Sequence, residues 1–162
     1  MKYLWNCIWL TVPIVWMNLA LADRLPESYQ PAVFWSGVPR GIALGENTSR
    51  IAVFLLPLLM PLHVVSSRQR AGLALYAVGV IVYFLAWATQ IWYPRTKWSK
   101  SRLGFMAPAF TPAAWLAGIA LIGETLYFGT FYRSWMFLTL SLIFLVFHNA
   151  HGWAVYSRIH QR

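Results

Sequence analysis

Long apolar stretches alternate with short polar segments along the chain, and this pattern predicts membrane-spanning helices. A helix needs about 20 predominantly apolar residues to cross the hydrocarbon core of a bilayer. Five stretches approach or exceed that length, at residues 3–22, 39–65, 71–93, 105–128 and 132–156. The pattern predicts an all-α, polytopic integral membrane bundle of five transmembrane helices, with residues 1–162 as a single transmembrane domain.

The first two predicted helices each raise an alternative. A basic second residue, an apolar run and the small-residue motif at 20–22 are typical of a cleaved signal peptide. The run is long enough to span a bilayer, so we expect a retained helix. The second predicted helix reaches full length only by taking Glu46 and Arg50 into the bilayer. Pro57 and Pro61 are expected to kink it, because proline removes a backbone hydrogen-bond donor.

The composition fits lipid as the solvent. The chain is 59% hydrophobic and 10% charged, whereas soluble domains carry about 25% charged residues. Ten tryptophans make it tryptophan-rich, and many lie near segment ends, as interfacial aromatic residues do. The net charge of +9 comes from basic residues between apolar segments. Membrane lipids, and not nucleic acid, are therefore the expected partners.

The distribution of lysine and arginine predicts the orientation. Short cytoplasmic loops carry an excess of these residues. With five crossings, one side holds Lys2, Arg68, Arg70 and Arg133, and the other holds Arg24, Arg40, Arg95, Lys97, Lys100, Arg102, Arg158 and Arg162. This predicts an N-terminus outside and a cytoplasmic C-terminus. The small size of the chain favours the cell membrane as its location, specifically the bacterial inner membrane.

Glu46 and Arg50 form the first pair of polar residues that can carry chemistry. They are four residues apart, so they share one helix face and can form an ion pair. Two interpretations follow. The pair can be structural, with each charge neutralising the other. Alternatively, Arg50 holds an anionic or carbonyl group of a ligand while Glu46 orients the guanidinium.

His148, Asn149 and His151 form a second polar group, on the fifth predicted helix. Both imidazoles share one helix face and can bind a metal or pass a proton, but they can equally hydrogen-bond to neighbouring helices. Two histidines supply at most half of a tetrahedral site, and Cys7 is the single cysteine. No metal site is therefore predicted, and the sequence names no cofactor.

The predicted topology places these two groups at a similar depth in the membrane. If the second and fifth helices are neighbours, Glu46, Arg50, His148, Asn149 and His151 converge into a ligand-binding site. Near the opposite ends of their helices, His63 and Glu124 share another depth and predict a second polar site. Two such sites suit a path for a proton or small solute, and they equally suit two independent structural hydrogen bonds.

Three functions are compatible with this arrangement. The first is binding or translocation of a small, hydrophobic or anionic, lipid-like ligand through polar groups in the bundle. The second is a non-catalytic subunit of a larger membrane complex. The fourth predicted helix would then meet its partner through a face rich in small residues, and such residues also predict that this helix is the most buried. The third is a membrane enzyme on a lipid-like substrate, with His148 or His151 as acid and base.

Overall fold

A computed structural model describes residues 4–129 and 131–160. These ranges contain helices, turns and one isolated β-bridge, between Asn6 and Pro61. The all-α architecture is therefore confirmed. After a 3₁₀ turn at Cys7–Leu10, the α-helices are α1 (Val12–Ala20), α2 (Pro31–Phe34), α3 (Arg40–Leu55), α4 (Ser67–Trp92), α5 (Lys97–Lys100), α6 (Arg102–Phe110), α7 (Pro112–Ile122) and α8 (Ser134–His160).

Among the described residues, four helical segments are long and apolar enough to cross a membrane. They are Arg40–Leu59, which joins α3 to a 3₁₀ turn, then α4, then Arg102–Ile122, which joins α6 to α7, and finally α8. The first apolar helix, Cys7–Ala20, is shorter than these four. The chain therefore has the helices of a multi-pass membrane protein.

Two helices end earlier in the structure than the hydropathy pattern predicts. The predicted second helix ends at Leu59, short of residue 65, because Pro57 lies in its last 3₁₀ turn and the chain then becomes extended. The backbone N–H of Cys7 donates to Met60 O at 2.8 Å, so the start of the first apolar segment pairs with this extended chain. The predicted fourth helix ends at Ile122, before residue 128.

Small residues bring α4 and α7 into close contact. A Cβ atom on Gly118 would lie 2.6 Å from Tyr76 N and 2.7 Å from Gly72 O, so only hydrogen fits there. In the spanning window of Arg102–Ile122, 67% of residues are buried, against at most 33% in the other three spans. The small-residue helix is thus the most buried, as predicted. Its tight face is covered by α4 of the same chain and is not free for a partner protein.

Residues 22–39 fold over the end of the bundle where α8 terminates. The Tyr29 hydroxyl donates to Phe105 O at 2.7 Å, and burial raises the pKa of this phenol, so it remains a donor at neutral pH. Arg158 donates to Ser36 O and, at 2.7 Å, to Val33 O. Gly37 has φ of 65°, which allows the turn from α2 to α3. These contacts hold the segment against α6 and α8.

Candidate functional site

The carboxylate of Glu46 is the centre of a buried polar cluster between α3 and α8. Its side chain is fully buried. Glu46 Oε1 accepts hydrogen bonds from Arg50 and, at 2.8 Å, from His148 Nδ1. Glu46 Oε2 lies 2.5 Å from His151 Nδ1. One carboxylate therefore joins three basic side chains from two helices.

Two local features bring these groups together. A Cβ atom on Gly45 would lie 2.5 Å from the Phe147 ring, so the glycine beside Glu46 lets α3 approach α8 closely. The three-residue spacing of His148 and His151 then places both imidazoles on the face of α8 that meets this approach. The second and fifth predicted helices are therefore neighbours, and four of the five predicted site residues are in contact.

Asn149 does not join the Glu46 cluster. Its amide N–H group donates to Leu145 O at 2.8 Å within α8 and to Ala109 O at 3.1 Å in α6. Asn149 thus fastens α8 to α6, on a different face from the two histidines.

His151 contacts a hydrogen-bond acceptor at each ring nitrogen. His151 Nε2 lies 3.0 Å from Phe34 O, and a carbonyl oxygen can only accept, so Nε2 carries a hydrogen. The contact between Nδ1 and Glu46 Oε2 needs one more proton, on either atom. The pair is therefore a carboxylate with an imidazolium, or a carboxylic acid with a neutral imidazole. In both forms a single proton is held between Glu46 and His151.

An aromatic cavity of about 320 Å³ lies beside the cluster. Small-molecule sites are typically about 300–1,000 Å³ and mostly apolar, with a few placed polar groups. Arg50 and His148 belong to its wall, whereas Glu46 and His151 lie behind it. The cavity is lined by Ile14, Met17, Asn18, Leu21, Leu25, Tyr29, Phe34, Trp35, Arg50, Phe54, Tyr83, Trp87, Ile91, Pro112, Trp115, Phe144 and His148.

Two tryptophan side chains in this wall have buried indole N–H groups. The Trp115 side chain is 2% exposed, and its Nε1 atom is buried without a hydrogen-bond partner among the described residues. Trp87 Nε1 is also buried and interacts with the Tyr83 hydroxyl, and the two rings meet edge-on at 6.5 Å between centroids. Buried donors are nearly always paired in folded proteins, and an unpaired one costs about 1–3 kcal/mol. Because the Trp115 Nε1 atom has almost no accessible surface, it does not face the open cavity.

The structure does not bring His63 and Glu124 together. His63 is exposed in the connection before α4. Glu124 lies 3.9 Å from Arg68 Nε and 3.4 Å from Gln69 Nε2. No ion pair or hydrogen bond joins His63 to Glu124 within residues 4–129. Over the described part of the chain, no group of three or more His, Cys, Asp or Glu side chains is arranged to hold a metal ion.

The segment 22–39 contributes to the site in ways that its sequence does not signal. Phe34 supplies a backbone carbonyl to His151, and Trp35 places its ring 5.8 Å from the Arg50 guanidinium. A backbone carbonyl has no residue-specific signature, so pattern analysis could not identify the first contact. The assembled site is an aromatic cavity with the cation of Arg50 and the imidazole of His148 in its wall. No protein-family model, curated protein or solved structure matches this chain.

Proposed function

We propose that this protein binds a small or lipid-like ligand inside its helix bundle. The apolar part of the ligand occupies the aromatic cavity, and its polar end contacts Arg50 and His148. Arg50 carries the proposal, because its guanidinium is a polar group in the wall of an otherwise mostly aromatic cavity, which is the usual composition of a small-molecule site. His148 in the same wall adds a second polar group for the same end of the ligand.

The Glu46 cluster has a supporting role in this proposal. A closed set of paired side chains alone would fit a purely structural role or a subunit of a complex. Here the four paired side chains have two different positions. Glu46 and His151 lie behind the cavity wall, whereas Arg50 and His148 belong to the wall. The carboxylate thus fixes the orientation of two side chains that can contact a ligand, as partners behind a binding site commonly do.

We also propose that α1 crosses the membrane, giving five spans. Its path beside α4 supports this: the Tyr76 hydroxyl donates to Leu10 O at 2.7 Å, and the Tyr83 hydroxyl donates to Asn18 Oδ1 at 3.0 Å. With five spans, the positive-inside rule favours an N-terminus outside and a C-terminus in the cytoplasm, and we propose the bacterial inner membrane as the location.

A C-terminal fusion reporter is expected to report a cytoplasmic location, and an external signal would contradict this orientation.

Filling the cavity is expected to abolish ligand binding. Met17 is buried on α1 and lines the cavity, so the Met17→Trp indole would occupy the space of the ligand. Leu19→Trp is the matched control, because Leu19 lies on the same helix and is 73% exposed. Protein purified in a mild detergent is analysed by mass spectrometry for lipids and other small molecules that co-purify. We expect a stoichiometric ligand with the wild type and Leu19→Trp, and its loss from Met17→Trp.

Loss of the ligand from Met17→Trp is informative only if this variant is folded. Thermal unfolding of all three proteins shows whether Met17→Trp remains native. A native Met17→Trp protein that keeps the same co-purified molecule would show that this molecule lies outside the cavity, and the proposed function would then be wrong.

A further inference from the structure

The polar cluster behind the cavity retains a positive charge. Glu46 and His151 are neutral as a pair, because one proton lies between Oε2 and Nδ1 in either protonation form. The guanidinium of Arg50 is always protonated in proteins. Arg50 donates a hydrogen bond to Glu46 Oε1. Because the pair of Glu46 and His151 is already neutral, this hydrogen bond leaves the positive charge of Arg50 unbalanced. The three side chains together carry one net positive charge, and protonation of His148 would add a second.

This charge lies at the cavity. The Arg50 side chain is 36% exposed, lines the cavity and lies over the Trp35 ring at 5.8 Å. No aspartate or glutamate is among the described residues that line the cavity. A cation beside mostly apolar side chains is normally paired with an anion in proteins. An anion bound in the cavity would balance the charge of Arg50.

The hydrogen-bonding chemistry of a guanidinium favours the same kind of ligand. Arg50 presents N–H donors in the cavity wall. A neutral carbonyl oxygen can accept from the guanidinium but leaves its charge unbalanced, whereas a carboxylate or a phosphate accepts the hydrogen bond and balances the charge. Charged hydrogen bonds of this kind are also the stronger ones.

We infer that the ligand is an amphiphile with an anionic head group, a carboxylate or a phosphate monoester. The head-group oxygens contact Arg50, and the apolar tail lies among the aromatic side chains of the cavity. This inference rests on the proposed function, because it specifies the ligand of the same cavity. It excludes amphiphiles of equal chain length whose head group is neutral or cationic.

Four probes with the same tail test the charge of the head group. Radiolabelled dodecanoate, dodecyl phosphate, 1-dodecanol and dodecylamine are titrated onto the full-length protein in lipid nanodiscs, at a pH at which dodecanoate is ionised. Binding to empty nanodiscs is subtracted, and excess unlabelled probe defines the saturable part. We expect at least one anionic probe to bind about tenfold or more tightly than the alcohol and the amine, because a hydrogen bond to a charged group is worth about 1.5–3 kcal/mol. The tighter of the two anionic probes identifies the head group.

Variants locate the contact. Arg50→Gln keeps a hydrogen-bonding side chain next to Glu46 and removes the charge, so the preference for the anionic probe is expected to disappear. Arg50→Lys keeps the charge and is expected to retain the preference.

Each contrary result has a distinct meaning. Equal binding of 1-dodecanol and both anions, or tightest binding of dodecylamine, would overturn the anionic head group while the proposed binding function stands. An anion preference that survives in folded Arg50→Gln would also overturn the inference. The absence of saturable binding by all four probes would overturn both proposals.

Discussion

The substitution Glu46→Leu is expected to destabilise the protein by about 3–5 kcal/mol, the usual cost of removing one partner from a buried ion pair. The fully buried Glu46 carboxylate accepts from Arg50 and His148 and shares a proton with His151. Leucine would leave all three basic groups without this acceptor. Glu46→Gln, which keeps an acceptor and removes the charge, is expected to give an intermediate loss.

The single cysteine provides the measurement. Cys7 is completely buried, so a thiol reagent reacts with it when the bundle opens. The unfolding midpoint is read from Cys7 labelling during a temperature or denaturant series in detergent. Glu124→Leu is the matched control, since the Glu124 side chain is 37% exposed and 3.9 Å from Arg68. Such partly exposed pairs contribute about 0–1 kcal/mol. If Glu46→Leu unfolds at the same midpoint as Glu124→Leu, the Glu46 carboxylate is not the buried partner of Arg50, His148 and His151.

Gly118→Ala is also expected to destabilise the protein strongly, although it adds only one methyl group. The new Cβ would lie 2.6 Å from Tyr76 N and 2.7 Å from Gly72 O, and both are backbone atoms. Because backbone cannot rotate away as a side chain can, α4 and α7 must separate. Overpacking in a core costs about 1–3 kcal/mol, occasionally more, and the loss here is expected at the upper end.

The control for Gly118 is another helical glycine with free space. A Cβ atom on Gly41 in α3 would meet nothing within 4 Å. Gly41→Ala is therefore expected to be neutral or to stabilise α3 by up to about 1 kcal/mol, through helix propensity. Both variants are compared by Cys7 labelling. Equal unfolding midpoints for the two would show that α4 and α7 are not in this close contact.

Hydropathy predicted most of the helical architecture. The apolar stretch at 71–93 became α4, and the small residues of the fourth predicted helix correctly indicated the most buried segment. The ends were harder to predict because they depend on tertiary pairing. The second helix stops early where the chain from Met60 onward pairs with the start of the chain around Cys7. An apolar run shows no sign of such pairing.

The site could be predicted within each helix but not between helices. Residue spacing showed that Glu46 and Arg50 share one face, and that His148 and His151 share another. Hydrogen bonds between Glu46 and His151 join positions 105 residues apart, and no local pattern specifies which faces meet. The contribution of segment 22–39 was missed because it consists of a backbone carbonyl and of aromatic rings that also suit a membrane interface. The predicted pairing of His63 with Glu124 rested on depth alone, which does not fix lateral position.

Locating a bound probe in a crystal structure shows most directly whether the aromatic cavity beside Arg50 is a ligand site. Crystals grown with ω-bromododecanoate give an anomalous signal from bromine, which marks the end of the tail. We expect one bromine site inside the cavity, with the carboxylate of the same molecule in contact with Arg50. Bromine found only on the lipid-facing surface of the helices, beside an empty cavity, would show that the cavity is not a ligand site.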